Sequence, residues 1–205
     1  MPEQDRQDRQ SVVSHALGVF RAALAVLTLT LWAVGTSLAS DVVDMHVADA
    51  LQDTADIRKL TICYAHGTDA IGRGDLEAGK ALYQACFTKD AAIAAFFVDG
   101  QGEKRTGPEA WADFVLSTFK NAGYTVTQHL LGTIDVEVTG ETATMSTYLH
   151  ATHVLPDGSI DVANGTYADE VVKTPDGWRV RSRTLTLITF LNLASPAASS
   201  KLLPQ

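Results

Sequence analysis

The sequence lacks the short motifs that announce most chemistries. It has no G-x-G-x-x-G, no P-loop and no G-x-S-x-G, so nucleotide binding and serine hydrolysis have no support. Neither H-E-x-x-H nor H-x-E-x-H occurs, which removes the common helical zinc signature. Cysteine is scarce: Cys63 and Cys86 show no C-x-x-C spacing and no histidine at metal-finger distance. Positive charge is also in short supply, with 16 Lys and Arg against 24 Asp and Glu and a net charge of −8. Nucleic-acid binding needs clustered Lys and Arg, so a nucleic-acid partner is excluded. No block of like charge stands out, and the acidity reads as a solvated surface. The long apolar run is missing too. Ala22 to Val34 is free of charge but only 13 residues long, short of the ~20 that cross a bilayer as a helix.

What is present describes an export signal followed by one small domain. Of 205 residues, 46% are hydrophobic and 20% charged, the composition of a globular chain. A polar start ending at Arg21, the short apolar run, and the small residues Ser37 and Ala39 form the three parts of a secretory signal. Residues 1–39 are read as that signal, cut after Ala39, which places the protein in a periplasm or outside the cell. The alternative is an uncleaved membrane anchor from Val12 to Leu38 with Arg21 snorkelling. Membrane contact is expected only through this segment. The two cysteines leave two readings open: buried thiols on neighbouring helices, or, after export, a disulfide.

Residues 49–193 form the expected domain, and 194–205 a frayed tail. Asp41 to Ala50 reads as a loose lead-in. Asp53 or Thr54 can then cap a helix along which Ile57, Leu60, Tyr64 and Thr68 recur at helical steps, stopped by Gly72 and Gly74. Asp75 caps a second helix, and Gly107-Pro108 opens a third bearing Trp111, Val115, Leu116 and Phe119. Ala91 to Val98 reads as a buried strand, followed by a turn at Asp99 to Gly102. From Tyr124 the period changes to two. Four long strands are expected, over 126–138, 142–155, 159–173 and 178–191. The joints Thr139-Gly140-Glu141, Pro156-Asp157-Gly158 and Pro175-Asp176-Gly177 carry tight-turn chemistry, so consecutive strands should pair as hairpins. Helices first and antiparallel strands after is the α+β order, and a curved sheet over helices leaves an open end where a pocket can form.

Several segments resemble the SnoaL-like branch of the NTF2-like superfamily, in its scytalone-dehydratase-type form. These are Ile57, Leu60, Tyr64 and Asp69 on the first helix, Phe87-Thr88-Lys89-Asp90-Ala91, Thr127-Gln128-His129-Leu130-Leu131-Gly132, Gly165-Thr166-Tyr167-Ala168-Asp169, and Asp176-Gly177-Trp178-Arg179-Val180. The resemblance implies a cone: three N-terminal helices packed on a curved, mainly antiparallel sheet, around an apolar cavity. Dehydratase-type members use an Asp–His pair, a second His, and tyrosines that hold a water. By position, Asp69 and His129 match the pair. Thr68 stands where the dehydratase has a tyrosine before its Asp, and the stretch from Asp69 to Asp75 is longer than usual.

The candidate catalytic residues are therefore Asp69, His129, His150 and Tyr64. Asp69 would orient His129 as a general base, and Tyr64 and His150 would polarise an oxygen. Strand alternation puts Ser146, Tyr148, His150 and Thr152 on one face, and Met145, Leu149, Ala151 and His153 on the other. Only one of the two histidines can face the cavity. Apolar neighbours favour His153, the family position favours His150, and His150 is taken. Trp111, Tyr167 and Trp178 read as packing. The resemblance calls for no metal or other cofactor. The expected function is a lyase or isomerase acting on a small apolar or aromatic oxygenated molecule. The alternative is a secreted ligand-binding or dimerisation module without chemistry, whose open sheet face pairs with a second copy. A homodimer is expected on either reading.

Overall fold

The structure is a computed structural model and describes residues 47–195. The expected signal segment lies outside that range, as does most of the expected tail.

The first helix, α1, runs over residues 47–72. It begins ahead of the expected cap, so part of the anticipated lead-in is helical and Asp53 sits inside the helix. Asp53 caps nothing. Its carboxylate accepts from Lys173 Nζ at 2.7 Å and from Trp178 Nε1 at 2.8 Å, pinning the helix to the sheet. Ile57, Leu60, Tyr64 and Ile71 are buried along one face, as their spacing requires. After Gly74, at φ 88°, Asp75 caps α2 (Leu76–Cys86) by accepting from the Ala78 N–H at 3.1 Å. Pro108 opens α3 (Pro108–Ala122), where a missing N–H costs nothing, and Gly123 closes it in the left-handed conformation. Cys63 of α1 and Cys86 of α2 are joined as a disulfide, with Cα atoms 6.1 Å apart. Of the two readings left open by the sequence, the geometry takes this one.

The strands are β1 (Phe87–Phe96), β2 (Gly102–Thr106), β3 (Val126–Thr139), β4 (Thr142–Val154), β5 (Ile160–Thr174) and β6 (Gly177–Leu193). They form one sheet in the order β2-β1-β6-β5-β4-β3. The hairpins β3–β4, β4–β5 and β5–β6 are antiparallel, as the turn residues predict, with Gly158 at φ 80° and Gly177 at φ 98°. Two features go beyond the sequence reading. β2 pairs with β1 as a short edge strand, and β1 lies parallel to β6. Three helices pack on this mixed, mostly antiparallel sheet.

Two irregularities shape the interior. β3 slips register between Gly132 and Asp135, with Thr133 at φ 49°. β6 carries one extra residue opposite the Glu170–Val171 step, so the buried parity moves from Trp178 and Val180 to Arg183. That shift places Arg183, 1% exposed, inside the core. It pairs with Asp169 through two bonds of 2.8 and 2.6 Å. The guanidinium lies 4.3 Å from the ring centre of Tyr64, 4.6 Å from Tyr167 and 5.5 Å from Phe87. Those π faces surround a cation whose Nη1 has no hydrogen-bond partner.

Candidate active site

Asp69 lies in the last turn of α1, where the helix dipole disfavours an acid. Three donors offset this. Thr127 Oγ1 donates to Oδ1 at 3.0 Å, the His129 main-chain N–H to Oδ2 at 3.2 Å, and His129 Nδ1 lies 2.7 Å from Oδ1. The end of α1 approaches β3 this closely because Gly72 has no side chain; a Cβ there would collide with Thr127. An ionised carboxylate only accepts, so Nδ1 of His129 carries a proton, and in the neutral ring Nε2 is the bare nitrogen. The side chains are 6% exposed for His129 and 15% for Asp69. A carboxylate-oriented imidazole with a free Nε2 is a general base.

His129 opens on a cavity of about 440 Å³ between the helices and the sheet. Its walls are aromatic: Phe97, Trp111, Phe114, Phe119, Tyr124, Tyr167 and Phe190, with Leu149, Leu185 and Leu187 between them. No Lys or Arg is among the lining residues. Tyr64 lines it too, stacked on Tyr83 with centroids 5.2 Å apart, and its hydroxyl accepts from Trp111 Nε1 at 3.3 Å. Trp111 is therefore packing and a hydrogen-bond donor at once. Thr68, in place of the family's tyrosine, bonds the Tyr83 hydroxyl at 2.6 Å.

The β4 histidine that faces the cavity is His153, not the His150 that was taken. β4 keeps an unbroken register with β5 over its whole length, so strict alternation holds. Met145, Leu149, Ala151 and His153 point inward and are buried, while His150 is exposed on the outer face, bonded to Asn164 Oδ1 at 2.8 Å. The apolar company of His153 was the signal that could have found it. His153 stands edge to face with His129, centroids 5.4 Å apart. Tyr124, Phe119 and Phe190 surround it at 4.7, 5.4 and 6.4 Å. Phe119 was read as one of the apolar residues along the third helix and Tyr124 only as the point where the period changes, so neither was singled out as a site residue. Among the described residues, no three His, Cys, Asp or Glu side chains converge as a metal site.

Burial, reinforced by His129, pushes the His153 pKa down to about 4. The consequence for stability has a definite sign. Below pH 6.5 the unfolded chain takes up a proton that the folded chain refuses. Stability is therefore fully present above that pH and drains away as pH falls toward 4, by up to about 3 kcal/mol. Urea unfolding of the wild type and of His153→Gln should show the two curves converging on acidification. Parallel curves between pH 7 and pH 4.5 would contradict this placement.

Comparison with known proteins now bears on the fold. The SnoaL-like domain family matches residues 49–184. The chain belongs to the SnoaL-like family. Among solved structures, the Kfla4162 protein of Kribbella flavida is 26% identical, with 69% of this chain and 95% of that one covered at a TM-score of 0.58. The hexachlorocyclohexane dehydrochlorinase LinA-type3 of Novosphingobium barchaimii is 17% identical, covering 73% and 95% at 0.60. An NTF2-like protein with a cystatin-like fold from Novosphingobium aromaticivorans is 24% identical, covering 77% and 94% at 0.55. The last two establish fold alone. No curated protein matches the chain.

Proposed function

We propose that this SnoaL-like domain is a cofactor-free lyase or isomerase acting on a small apolar or aromatic oxygenated molecule. The observation that carries it is the Asp69–His129 pair at 2.7 Å, opening on an aromatic cavity without a cation in its lining. In an elimination, His129 Nε2 takes the proton from the carbon next to a C–O bond. The C–H electrons form the double bond, the C–O bond breaks, and the imidazolium returns its proton to the departing oxygen as water. In an isomerisation, the same nitrogen returns the proton to another carbon. Tyr64 donates to the substrate oxygen, and His153 takes the place in the cavity first given to His150. LinA-type3, which eliminates hydrogen chloride by name, shares the fold, and this supports elimination as chemistry the scaffold can host. A silent binding module would need neither the bare Nε2 nor the three donors that fix Asp69.

The test is a screen of phenolic, terpenoid and steroid-like compounds by thermal shift, followed by turnover of those that bind. Binding with no turnover by the wild type would leave only the binding module.

The proposal also covers export and pairing. The segment before the domain supports export, with Ser40 as the mature N-terminus. The outer sheet face supports a homodimer, because Leu130, Tyr148 and Ile188 are each more than half exposed there. Native mass spectrometry of the exported protein should give two copies, each beginning at Ser40. A monomer, or a chain beginning at Met1, would overturn the corresponding half.

A further inference from the structure

His153 is gripped by one residue in two ways. Asp161 lies directly opposite it across the β4–β5 ladder. The Asp161 main-chain oxygen lies 3.3 Å from His153 Nδ1. A carbonyl oxygen can only accept, so Nδ1 holds the ring's proton and Nε2 is a bare acceptor. The Asp161 carboxylate turns the other way. It accepts from the Tyr124 hydroxyl at 2.8 Å and from Asn192 Nδ2 at 2.7 Å. Tyr124 is thereby held over the His153 ring, centroids 4.7 Å apart and planes inclined by 31°.

We infer that Asp161 is a positioning residue which, through its own carbonyl and through Tyr124, fixes His153 as a neutral hydrogen-bond acceptor for an O–H group of the bound molecule. The inference rests on the cavity being the reactive site. It divides the labour of the two imidazoles. His129 exchanges a proton with carbon and oxygen, whereas His153 in this tautomer has no proton on Nε2 to give. It orients a hydroxyl or a water instead. The preferred ligand then carries a hydroxyl donor, and masking that hydroxyl as an ether should weaken binding.

The charged and titratable groups facing His153 are few: His129 on β3, Asp161 on β5, Asp69 on α1, and Tyr124 between α3 and β3. α3 and β6 contribute only the rings of Phe119 and Phe190. This allows a test in which sign decides. Removing the Asp161 carboxylate by Asp161→Ala deletes a negative charge, and by charge alone this would lower the His153 midpoint. If the carboxylate acts by holding Tyr124 over the ring, its loss admits water and raises the midpoint instead.

The experiment is nitrogen NMR of the ¹⁵N-histidine-labelled protein, titrated in the wild type, Asp161→Ala and Tyr124→Phe. In the wild type, His153 should be protonated on Nδ1 at pH 7 and should not titrate between pH 5.5 and 8. In Asp161→Ala the midpoint should rise by about one pH unit or more toward 6.5, and in Tyr124→Phe it should rise in the same direction with every charge retained. An unchanged or lower midpoint in both variants overturns the positioning role. A wild-type ring protonated on Nε2, or titrating near 6.5, overturns it without recourse to any variant. None of these readings uses turnover. A failure here therefore leaves the His129 base untouched, and a failure of catalysis leaves these titrations standing.

Discussion

Turnover by His129→Ala should fall about 10³-fold, within the 10²- to 10⁴-fold that a positioned proton-transfer group contributes. The fold should survive. The imidazole bonds only Asp69 through its side chain, and after its removal Asp69 still accepts from Thr127 and from the residue-129 main-chain N–H. Asp69→Asn should cost a similar factor by a different route. The asparagine side chain is as large as aspartate but carries two donors on one end. Thr127 Oγ1 and His129 Nδ1 share Oδ1 while Oδ2 takes the His129 main-chain N–H, so the amide sets its NH2 either against that N–H or against both Thr127 and Nδ1, and the tautomer that bares Nε2 loses its anchor. The loss should fall on kcat more than on KM, since neither change alters the aromatic wall that binds the ring. Circular dichroism and melting temperature close to wild type in both variants would separate chemistry from folding. Unchanged kcat/KM in both would sink the proposed base.

Much of this site was legible in the sequence, and what was missed has physical causes. Asp69 and His129 were picked out by the resemblance, which matches them to the family's Asp–His pair, and the two side chains lie 2.7 Å apart. The three long hairpins followed from Gly140, Gly158 and Gly177, which accept a backbone that other residues resist. Parity was the sounder guide at β4. The unbroken ladder gives His153 to the cavity, and family position pointed to His150 instead. Arg183 was invisible for the opposite reason. One extra residue in β6 reverses the alternation between Val180 and Arg183, and nothing in the local pattern announces a bulge. The parallel β1–β6 pairing joins segments about ninety residues apart, a distance at which local propensity carries no information. Asp53 and Thr54 are good capping residues, yet helix continues before them. The acceptor that would have capped α1 serves Lys173 and Trp178.

Replacing Asp169 by alanine should destabilise the domain by about 3–5 kcal/mol, the cost of leaving a buried cation without its counter-ion. Both side chains are fully shielded from solvent, and the two bonds between them are the only hydrogen bonds of the Arg183 guanidinium among the described residues. The rings of Tyr64, Tyr167 and Phe87 attract the cation but accept no conventional hydrogen bond. Nη1 is already unpartnered, so the site has no acceptor in reserve. At about 2–4 °C per kcal/mol for a domain of this size, the melting temperature should drop by about 10 °C. The paired change Asp169→Leu with Arg183→Met should recover most of that loss, because removing both charges removes the desolvation cost along with the attraction. Equilibrium urea unfolding of the two single variants and the pair measures the coupling directly. Additive single costs, or a loss below about 1 kcal/mol for Asp169→Ala, would show that the pair is not what holds the floor beneath Tyr64. If the pair variant is stable but turns over poorly, the guanidinium also sets the Tyr64 hydroxyl.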